Sequence, residues 1–590
     1  MIWNVAPKAP EEFIKQFPEY HPLILQLLYN RGLKTQKAID EFFNPDYEGD
    51  LHDPFLMLGI KEAVKRISKA IKKQEKIAIF GDYDADGVCG TVILKTVLEV
   101  LGAKLSGVFI PNRMIEGYGL NNEAVKKAAS QKTDLIITID CGITDFGEIK
   151  LANSLGMDVI ITDHHLVSQK VPAAKIIIDP FQRGDQYPFK ELSGAGVVFK
   201  LAQALLRQWA DQGKLGSENK IAEGWEKWLL DLVAIATVAD CMPLLGENRT
   251  LVRYGLIVLA QTQRIGLQEL MRVARIAPSF QAETLKTNLD SYSLGFILAP
   301  RLNAAGRIHH ANLAFELLMT ESRQQASEMA QRIDDFNRQR QKLTDEIVVQ
   351  IEQRIKENID DKEHPVIVEA DKDWSPGIVG LVAGRIADRY HRPTIILNQK
   401  EATSRGSARS IRSFNIVEAI ASCADLLKEF GGHRASAGLC LENEKLPLFK
   451  EKINQYARTK LVEEDLIPGL EVDLKVEADD ISWEFFDKLV DFEPFGKDNP
   501  APVFLFKSLE ILNCRFVGNG SQHLKLELKS ENPPVGGQNK IFKAIGFRLA
   551  KNGNQDLKIG DKVDIVFELI IDEWNGNREL QFKIVDIKKL

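Results

Sequence analysis

The chain has 590 residues, of which 44% are hydrophobic and 27% are charged, a composition typical of globular domains and unlike that of disordered or fibrous chains. Because one hydrophobic core seldom organises so many residues, several domains are expected. The formal net charge of -7 argues against a uniformly basic nucleic-acid binder, so any phosphate-binding surface has to be local.

The spacing of apolar residues predicts five segments in chain order. Two of them alternate short apolar runs with amphipathic stretches, the pattern of α/β domains in which helices cover a parallel sheet. The predicted segments are a small helical segment at 1–70, a parallel-sheet α/β domain at 71–250, a helical region at 251–358, a second α/β domain at 359–464 and a β-rich domain at 465–590.

Finer features are predicted inside three of these segments. The charged stretch 321–358 has apolar residues at helical intervals and predicts one long connecting helix, with a coiled-coil partner as the alternative. The second α/β domain is expected to contain helices over 378–390 and 416–429. The short strands after 465, separated by Gly, Asn and Asp, are typical of a small closed barrel.

Acidic residues follow four apolar runs of the first α/β domain. The runs 77–80, 135–139, 159–162 and 233–239 are predicted strands, and the acids after them are Asp82, Asp84, Asp140, Asp163 and Asp240. Carboxyl ends of parallel strands meet at one edge, so these side chains are expected to lie together. One such acid is usually a helix cap, but crowded carboxylates repel each other unless cations lie among them. With histidine nearby they predict two Mn²⁺ or Mg²⁺ ions, which suits phosphoester hydrolysis.

Four short motifs carry a resemblance to a known family. GDYDADG (81–87), DCG (140–142), DHH (163–165) and the last residue of TVAD (237–240) resemble, in order and position, the first four motifs of the DHH phosphoesterases. The resemblance implies five metal ligands, with Asp140 as the bridge: Asp82, Asp84, Asp140, His164 and Asp240. It also implies that His165 contacts the scissile phosphate or protonates the leaving group, while Asp163 and Asp86 orient their neighbours.

The strand before the first acidic pair departs from the family pattern. Several family members have a histidine there, whereas this strand reads Ile77-Ala78-Ile79-Phe80. The affinity of the first metal site is therefore left open.

Residues in glycine-rich motifs are candidates for binding phosphate. They are Arg113 in PNRMIEGYGLN, Arg301, Asn303 and Arg307 in PRLNAAGR, Ser407 and Arg409 in SRGSARS, and His433 in GGHRASAG. Guanidinium groups form paired hydrogen bonds with phosphate, and glycine lets the backbone approach an anion. A surface arginine, a structural ion pair and a flexible turn are the alternatives. GGHRASAG and WSPGIVGLVAGRIADRY resemble the DHH-associated substrate-binding domain, whose Gly-Gly-His loop faces the metal cleft.

The order of the domains narrows the resemblance. A β-rich domain after two DHH-type domains, preceded by EPFGKDNPAPVF, is similar to the branch of the family that degrades single-stranded DNA and carries an OB-like barrel. This similarity implies a 5′ to 3′ exonuclease that hydrolyses phosphodiester bonds and releases mononucleotides in DNA recombination and repair. The alternatives are a phosphodiesterase for short oligonucleotides or cyclic dinucleotides, and a non-catalytic scaffold that binds single strands.

Further features concern the compartment and the partners. Six scattered cysteines without a C-x-x-C pair argue against a zinc module or a disulfide framework. No signal peptide or bilayer-spanning stretch is recognisable, so a cytoplasmic protein away from the membrane is expected. The chain lacks a G-x-x-x-x-G-K-[ST] motif, so strand separation would need a partner. The expected partners are single-stranded DNA, a single-strand-binding protein and a helicase, and the chain is expected to be a monomer.

Overall fold

The structure is a computed structural model that describes residues 1–211, 221–358, 364–530, 540–551, 556–574 and 577–590. The chain forms two compact units, each assembled from distant parts of the sequence. The first comprises Met1–Asp46, Pro243–Gly246 and Ile467–Leu590, and the second comprises Tyr47–Met242 and Glu247–Leu466. Within the described residues, no helix is both long and apolar enough to cross a membrane.

Residues 1–46, part of the segment predicted to be helical over 1–70, form three short helices and one strand that was not predicted. The elements are β1 (Ile2–Val5), α1 (Glu11–Gln16), α2 (Pro22–Asn30) and α3 (Gln36–Phe43). Thr35 begins α3 by accepting a hydrogen bond from the backbone N–H of Ala38. The apolar faces of α2 and α3 are buried in the same core as the C-terminal barrel.

The first α/β domain alternates strands and helices, which confirms the predicted parallel-sheet fold. Its elements are α4 (Ile60–Lys73), β2 (Lys76–Gly81), α5 (Ala85–Val100), β3 (Lys104–Phe109), α6 (Asn122–Ser130), β4 (Leu135–Ile139), α7 (Phe146–Ser154), β5 (Asp158–Thr162), β6 (Ile176–Ile178), α8 (Gly194–Asp211) and α9 (Leu230–Ala239). The strand order is β3-β2-β4-β5-β6, with all neighbours parallel. The carboxyl ends of β2, β4 and β5 therefore meet at one edge.

The interpretation of residues 233–239 as a strand is wrong, because they form most of helix α9. A run that is apolar and buried on every side lacks the periodicity that separates helix from strand. Its alanines favour the helix. Asp240 therefore follows a helix, and the acids of the predicted metal site end three strands and one helix.

The region between the two α/β domains is helical and contains the long helix that the sequence predicts. Its elements are α10 (Gly246–Ala260), α11 (Ile265–Val273), β7 (Phe280–Gln281), β8 (Lys286–Thr287), a π-helix (Ser293–Leu298), α12 (Ala299–Ile308), α13 (Asn312–Met319) and α14 (Arg323–Asn358). Helix α14 has 36 residues and packs on α11, α12 and α13 in its own unit. These contacts bury its apolar side without a coiled-coil partner.

The second α/β domain has a mixed sheet. Its elements are β9 (Ile367–Asp371), α15 (Pro376–Tyr390), β10 (Thr394–Gln399), β11 (Thr403–Arg409), α16 (Ile416–Ala421), β12 (Leu427–His433), β13 (Ser436–Glu442) and α17 (Leu446–Arg458). The strand order is β12-β13-β11-β10-β9, in which only β9 and β10 are parallel.

Two predictions for this domain are wrong. The helix predicted over 416–429 ends at Ala421, and β12 follows it. The predicted loops SRGSARS and GGHRASAG lie largely on strand β11 and on the hairpin of β12 and β13. Glycine permits close strand packing here, because a Cβ on Gly406 would lie 2.1 Å from the carbonyl oxygen of Ile396.

The C-terminal residues form the predicted closed barrel. The elements are β14 (Gly469–Val472), β15 (Leu474–Lys475), α18 (Trp483–Val490), β16 (Phe504–Val517), β17 (His523–Ser530), β18 (Ile541–Gly546), β19 (Lys562–Trp574) and β20 (Asn577–Lys589). The barrel runs in the order β16-β17-β18-β20-β19, and β19 pairs with β16 to close it. The missed strand β1 pairs in parallel with β14 in the same unit.

The motif EPFGKDNPAPVF stabilises this unit. Asn499 is buried and donates hydrogen bonds to the carbonyl oxygens of Phe492 and Pro494. Its Oδ1 accepts a hydrogen bond of 2.8 Å from Nε of Arg31, the residue that follows α2. The motif therefore ties the N-terminal helices to the segment before the barrel.

Candidate metal centre and phosphate-binding cleft

Five carboxylates, here called the acidic cluster, lie at the carboxyl edge of the parallel sheet: Asp82, Asp84, Asp86, Asp140 and Asp240. Asp82 and Asp84 lie on the turn between β2 and α5 and Asp86 lies in the first turn of α5, where Asp84 accepts hydrogen bonds from the backbone N–H groups of Asp86 and Gly87. This turn folds back so tightly that a Cβ on Gly87 would lie 2.6 Å from the carbonyl oxygen of Asp82. Glycine is therefore needed there.

The possible ligand atoms fall into three overlapping groups, in each of which they lie within 4.8 Å of one another. The groups are Asp82-Asp84-Asp140, Asp140-His164-His165 and Asp86-His164-Asp240. Asp140 and His164 each belong to two groups. Shared ligands suit two neighbouring cations, and Asp140 is the residue predicted to bridge them.

Burial and mutual repulsion disfavour ionisation of these carboxylates. Burial raises the pKa of Asp82 well above its usual range, and Asp84 raises it further. Burial also raises the pKa of Asp140, and Asp86 adds to the effect. The pKa of Asp240 is raised to about 7 by burial and by Asp86. Asp82, Asp140 and Asp240 therefore ionise less readily than an isolated aspartate, and a bound cation would offset this effect.

One carboxylate oxygen of the cluster, Oδ1 of Asp82, is buried without a hydrogen-bond partner, and Oδ1 of Asp140 has only Nε2 of His164 near it, at 3.1 Å. Buried polar atoms are nearly always paired, so the oxygen of Asp82 in particular suits a partner of positive charge. A donor set of carboxylate oxygens and imidazole nitrogens, without thiolate, suits Mn²⁺ or Mg²⁺. The residues present therefore fit such ions.

Asp86 is held in place by the start of helix α8. Its carboxylate accepts hydrogen bonds from the backbone N–H groups of Gly194, at 2.7 Å, and Ala195, at 2.8 Å. It also shares a ligand group with His164 and Asp240. The hydrogen bonds support the predicted orienting role, which stays a prediction because the same carboxylate can reach a cation.

His165 is oriented by two neighbours. Its Nδ1 lies 2.7 Å from Oδ1 of Asp163 and 3.2 Å from the hydroxyl of Tyr118. Burial alone would lower the pKa of His165, but the hydrogen bond and the charge of Asp163 outweigh burial and raise it to about 9. The Tyr118 hydroxyl also donates a hydrogen bond of 2.9 Å to the carbonyl oxygen of Asp140.

A cleft of about 460 Å³ borders on the acidic cluster. Tyr83, Arg113 and Tyr118 line it from the first α/β domain, and Ser407 lines it from β11. Tyr83 follows Asp82 directly in the sequence. Because Tyr118 also binds the backbone next to the cluster, the cleft and the possible metal ligands share a boundary.

Arg113 and Arg405 line this cleft. Arg409 and Arg307 lie beside it, because Arg409 binds Ser407 and Arg307 donates a hydrogen bond of 3.1 Å to the carbonyl oxygen of Gly377, next to Pro376 in the lining. We call the site the arginine cleft (Arg113, Arg307, Ser407 and Arg409). The Arg113 guanidinium lies 4.8 Å from the ring centroid of Tyr83. Arg409 donates a hydrogen bond of 2.9 Å to Oγ of Ser407. Burial lowers the pKa of Arg307 to about 9 and also lowers that of Arg409, and the charge of Arg113 lowers both further. Arg405 is paired with Glu429, which also lines the cleft, so the positive charge that can meet a ligand comes from Arg113 and from Arg409 and Arg307 beside it.

Three other predicted phosphate contacts have different surroundings. Arg301 donates a hydrogen bond of 2.9 Å to Asp334, which is the structural ion pair named as the alternative, and its phosphate role stays a prediction. Asn303 accepts a hydrogen bond of 2.8 Å from the backbone N–H of Ala85, and it thus positions the turn that carries Asp84. His433 is exposed at the end of β12, and its phosphate role stays a prediction.

Sequence reasoning missed Tyr118 and Asp145. Oδ2 of Asp145 accepts a hydrogen bond of 2.7 Å from the backbone N–H of Leu120. A Cβ on Gly119 would lie 2.8 Å from Oδ1 of the same carboxylate. Asp145 therefore fixes the loop that carries Arg113 and Tyr118. The sequence contained two signals for these residues: Tyr118 is an aromatic residue between two glycines, and Asp145 is a second acid five residues after Asp140.

Comparison with known proteins first defines the class. One family model, described as "DHH family, N-terminal domain", matches residues 76–237, and the DHHA1 domain matches residues 363–459. The parallel sheet with its acidic edge and the second α/β domain are thus those of a DHH-type protein. The RecJ OB domain matches residues 472–586, which include the barrel.

Individual relatives then narrow the class. The chain is 39% identical over 594 residues to the single-stranded-DNA-specific exonuclease RecJ of Bacillus subtilis, with 99% of this chain and 70% of the relative covered. It is 33% identical to RecJ of Escherichia coli, with 96% of both chains covered. The crystal structure of Thermus thermophilus RecJ in complex with Mn²⁺ has a TM-score of 0.82 at 27% identity, with 100% of this chain and 80% of that chain covered. The chain belongs to the RecJ family, which confirms the branch predicted from the sequence.

Proposed function

We propose that the protein is a metal-dependent exonuclease that degrades single-stranded DNA from the 5′ end and releases mononucleotides. The observation that carries the proposal is the shared boundary between the acidic cluster and the arginine cleft, since Tyr118 lines the cleft and donates to the carbonyl of Asp140. The carboxylates that could bind cations and the arginines that could bind phosphate lie side by side, as hydrolysis of a terminal phosphodiester requires. The names of the RecJ relatives, single-stranded-DNA-specific exonucleases, support the substrate.

The acidic cluster is the proposed metal centre. The proposed ligands are Asp82, Asp84, Asp140, His164 and Asp240, and the Mn²⁺ complex of the Thermus thermophilus relative supports Mn²⁺ as one of the ions. Bound divalent ions would supply Lewis acidity towards a phosphoryl oxygen and make water a nucleophile at neutral pH. Asp163 holds the segment that bears His164 and His165 by accepting hydrogen bonds from both of their backbone N–H groups.

The arginine cleft is the proposed binding site for the 5′ phosphate. Arg113 and Arg409 provide positive charge with directed N–H donors, and Ser407 provides a hydroxyl. A phosphate held there would place the first phosphodiester of the strand towards the acidic cluster. The product strand again ends in a 5′ phosphate, so the same cleft serves the next cycle.

His165 is the proposed proton donor. Its Nδ1 is engaged by Asp163, which leaves Nε2 for the substrate. The raised pKa of about 9 keeps the imidazole protonated at neutral pH. A protonated imidazole can donate to the leaving 3′ oxygen of the terminal nucleotide.

The proposal extends to the setting of the reaction. No disulfide joins the six cysteines, which supports a reducing, cytoplasmic compartment. A cleft that accepts one strand needs duplex DNA to be opened first, so a helicase and a single-strand-binding protein are the proposed partners. A monomer remains our expectation.

The test is an exonuclease assay with the full chain. Single-stranded and blunt duplex oligonucleotides, labelled at either the 5′ phosphate or the 3′ end, are incubated with Mn²⁺, Mg²⁺ or EDTA. We expect immediate release of labelled mononucleotide from the 5′-labelled single strand, resistance of the duplex and no reaction in EDTA.

Three outcomes would contradict the proposal in different ways. Release from the 3′ label first would reverse the polarity. Hydrolysis confined to di- and trinucleotides or cyclic dinucleotides would favour a small-substrate phosphodiesterase. Tight binding of single strands without hydrolysis in either metal would favour a scaffold.

A further inference from the structure

The sheet of the second α/β domain brings a pair of opposite charges to the wall of the arginine cleft. Arg405 on β11 and Glu429 on β12 both line the cleft. Each is the register partner of Cys440 on β13, so the two side chains leave the same face of the sheet on either side of that strand. The guanidinium of Arg405 donates a hydrogen bond of 2.8 Å to Oε2 of Glu429. The ion pair therefore bridges across β13 at the cleft.

This ion pair lies next to the proposed site of the 5′ phosphate. Ser407 follows Arg405 by two residues on β11, so their side chains leave the same face about 7 Å apart. The row of Ser407 continues through Gly438 on β13 to Gly431 on β12. A Cβ on Gly431 would meet none of the described atoms within 4 Å, so packing does not require glycine there. The two glycines leave the floor of the cleft without side chains beside the ion pair.

The charges around this floor suit a single phosphate better than a chain of phosphates. In the proposed function, Arg113, Ser407 and Arg409 hold the 5′ phosphate of the strand. A 5′-triphosphate has two further phosphoryl groups, which have to occupy the rest of the cleft that Glu429 and Gly431 line. There they would meet a carboxylate, while the guanidinium of Arg405 is already engaged by it. Like charges at such short distances repel one another.

We propose that Glu429 restricts the arginine cleft to a single phosphate, so that the protein discriminates against strands that begin with a 5′-triphosphate. The inference rests on the proposed function, because it takes this cleft as the site of the 5′ phosphate. It narrows the substrate class to strand ends produced by a hydrolysis that leaves a 5′ monophosphate. Strand ends that retain the triphosphate of an initiating nucleotide would be poor substrates.

The exposure of the ion pair favours a role in selectivity over a role in folding. The side chains of Arg405 and Glu429 are 63% and 69% exposed. Ion pairs that are this open to solvent contribute little to stability. Either charge can therefore be removed without unfolding the chain. Without Glu429, the guanidinium of Arg405 would be able to form charge-assisted hydrogen bonds with a second phosphoryl group.

The test measures a ratio of two dissociation constants. Strands of six thymidylates with a 5′-triphosphate, a 5′-monophosphate or a 5′-hydroxyl are bound to the full chain in EDTA, and a 3′ label reports binding by fluorescence anisotropy. The ratio is the Kd of the triphosphate strand divided by that of the monophosphate strand. The variants are Glu429→Gln, Arg405→Gln and the double variant of both. Hydrolysis of the same strands is measured in Mn²⁺.

We expect the ratio to follow the net charge of the pair. It should be about ten in the wild type and about one in Glu429→Gln, in which Arg405 loses this partner. Arg405→Gln leaves the carboxylate alone and should raise the ratio to about a hundred. The double variant, which is again neutral at these positions, should resemble the wild type. All variants should keep their thermal unfolding midpoints.

A matched control separates a local effect from a change in total charge. Glu451 is exposed on α17, which packs through Phe449 against Leu439. Leu439 alternates with Gly438 and Cys440 on β13, so α17 covers the face of the sheet opposite the cleft. Glu451→Gln removes the same charge as Glu429→Gln and should keep the ratio of the wild type.

Different outcomes would contradict the inference and the proposed function. Equal affinity of the wild type for triphosphate and monophosphate strands would overturn the selectivity. A ratio that is the same in all variants would show that shape excludes the triphosphate, which would overturn the role of Glu429. Equal affinity for monophosphate and hydroxyl strands would contradict the phosphate site itself and the inference with it. Absence of metal-dependent hydrolysis would contradict the exonuclease alone, because the ratios in EDTA would still decide the role of Glu429.

Discussion

The acidic cluster and the arginine cleft lie in the same compact unit and carry opposite charge. In each of them, groups of like charge are buried close together. Burial and neighbouring acids raise the pKa of Asp82 and of Asp140. Burial and a neighbouring guanidinium lower the pKa of Arg307 and of Arg409. In both regions buried groups of like charge lie next to one another, so a ligand of the opposite sign would stabilise each of them.

A third charged site shows what makes the difference. Arg301 is on the same helix as Arg307, but it donates to Asp334 at 2.9 Å. Asp334 also pairs with Arg338 at 2.6 Å, so two guanidinium groups share this carboxylate. In the motif PRLNAAGR, Arg301 therefore has a carboxylate partner, whereas Arg307 donates to the carbonyl oxygen of Gly377. The chemistry of the residue alone does not separate them, and the position of a counter-charge does.

The largest expected effect tests the acidic half of the comparison. Asp140→Asn should lower metal-dependent mononucleotide release by about a thousandfold, or about 4 kcal/mol of transition-state stabilisation, because it removes the carboxylate shared by two ligand groups. In EDTA the variant should be at least as stable as the wild type, since it loses a buried charge that is repelled by its neighbours. Single-turnover kinetics and urea unfolding measure the two effects.

A matched control is available on the same sheet. Asp158 begins β5 at the opposite edge and binds Arg66 at 2.7 Å. Asp158→Asn should retain the rate of the wild type. A similar loss in both variants would mean that the acids act through folding and not through a metal centre.

The next effect tests the basic half. Arg409→Ala should raise KM for 5′-phosphorylated strands by about thirtyfold, within the range of a lost charge-assisted hydrogen bond, and should change KM much less for 5′-hydroxyl strands. Steady-state kinetics on the two substrates measure the difference. Arg389→Ala, at an exposed position on α15, is the control and should leave both values unchanged. If Arg409→Ala had equal effects on both kinds of strand, the cleft would not be the binding site of the terminal phosphate.

The two regions differ in how far the sequence could predict them. Most of the acidic cluster was predictable, because apolar runs ending in acid place Asp82 and Asp140 at one edge of a parallel sheet. The cleft was predicted only as separate motifs, because strand β11 and the loop with Arg113 are about 300 residues apart in the sequence and only the tertiary fold joins them. The helix before Asp240 could not be distinguished from a strand, since it is apolar on every side.

A smaller effect tests the boundary between the two regions. Tyr118→Phe removes the hydroxyl that donates to the carbonyl of Asp140 and lies near Nδ1 of His165. We expect kcat to fall about fivefold, as for the loss of one hydrogen bond, with little change in KM. The pH dependence of kcat should also shift, because His165 keeps only Asp163 as its partner. A change in KM alone would instead indicate that Tyr118 lines the cleft and contributes to binding without affecting the chemical step.

The smallest expected effect concerns Asp145, which joins the metal-ligand loop to the loop of the arginine cleft. Burial raises its pKa from 3.8 to about 6 in the folded chain, so the folded state holds this proton more tightly than the unfolded state does. The stabilising contribution is therefore complete below the unfolded value and is lost as the pH rises through about 6.

Asp145→Asn cannot ionise, but its side-chain oxygen can still accept the hydrogen bond from Leu120 that Asp145 accepts at 2.7 Å. Between pH 5 and pH 7 the wild type should lose about 1 kcal/mol of unfolding free energy relative to the variant. Urea unfolding in EDTA at several pH values measures the difference without a contribution from bound metal. A constant difference across that range would show that the carboxyl is ionised throughout, and the loop with Arg113 would then be held by charge as well as by a hydrogen bond. Asp145→Ala, which cannot accept the bond, should additionally raise KM for 5′-phosphorylated strands, because the position of Arg113 depends on this loop.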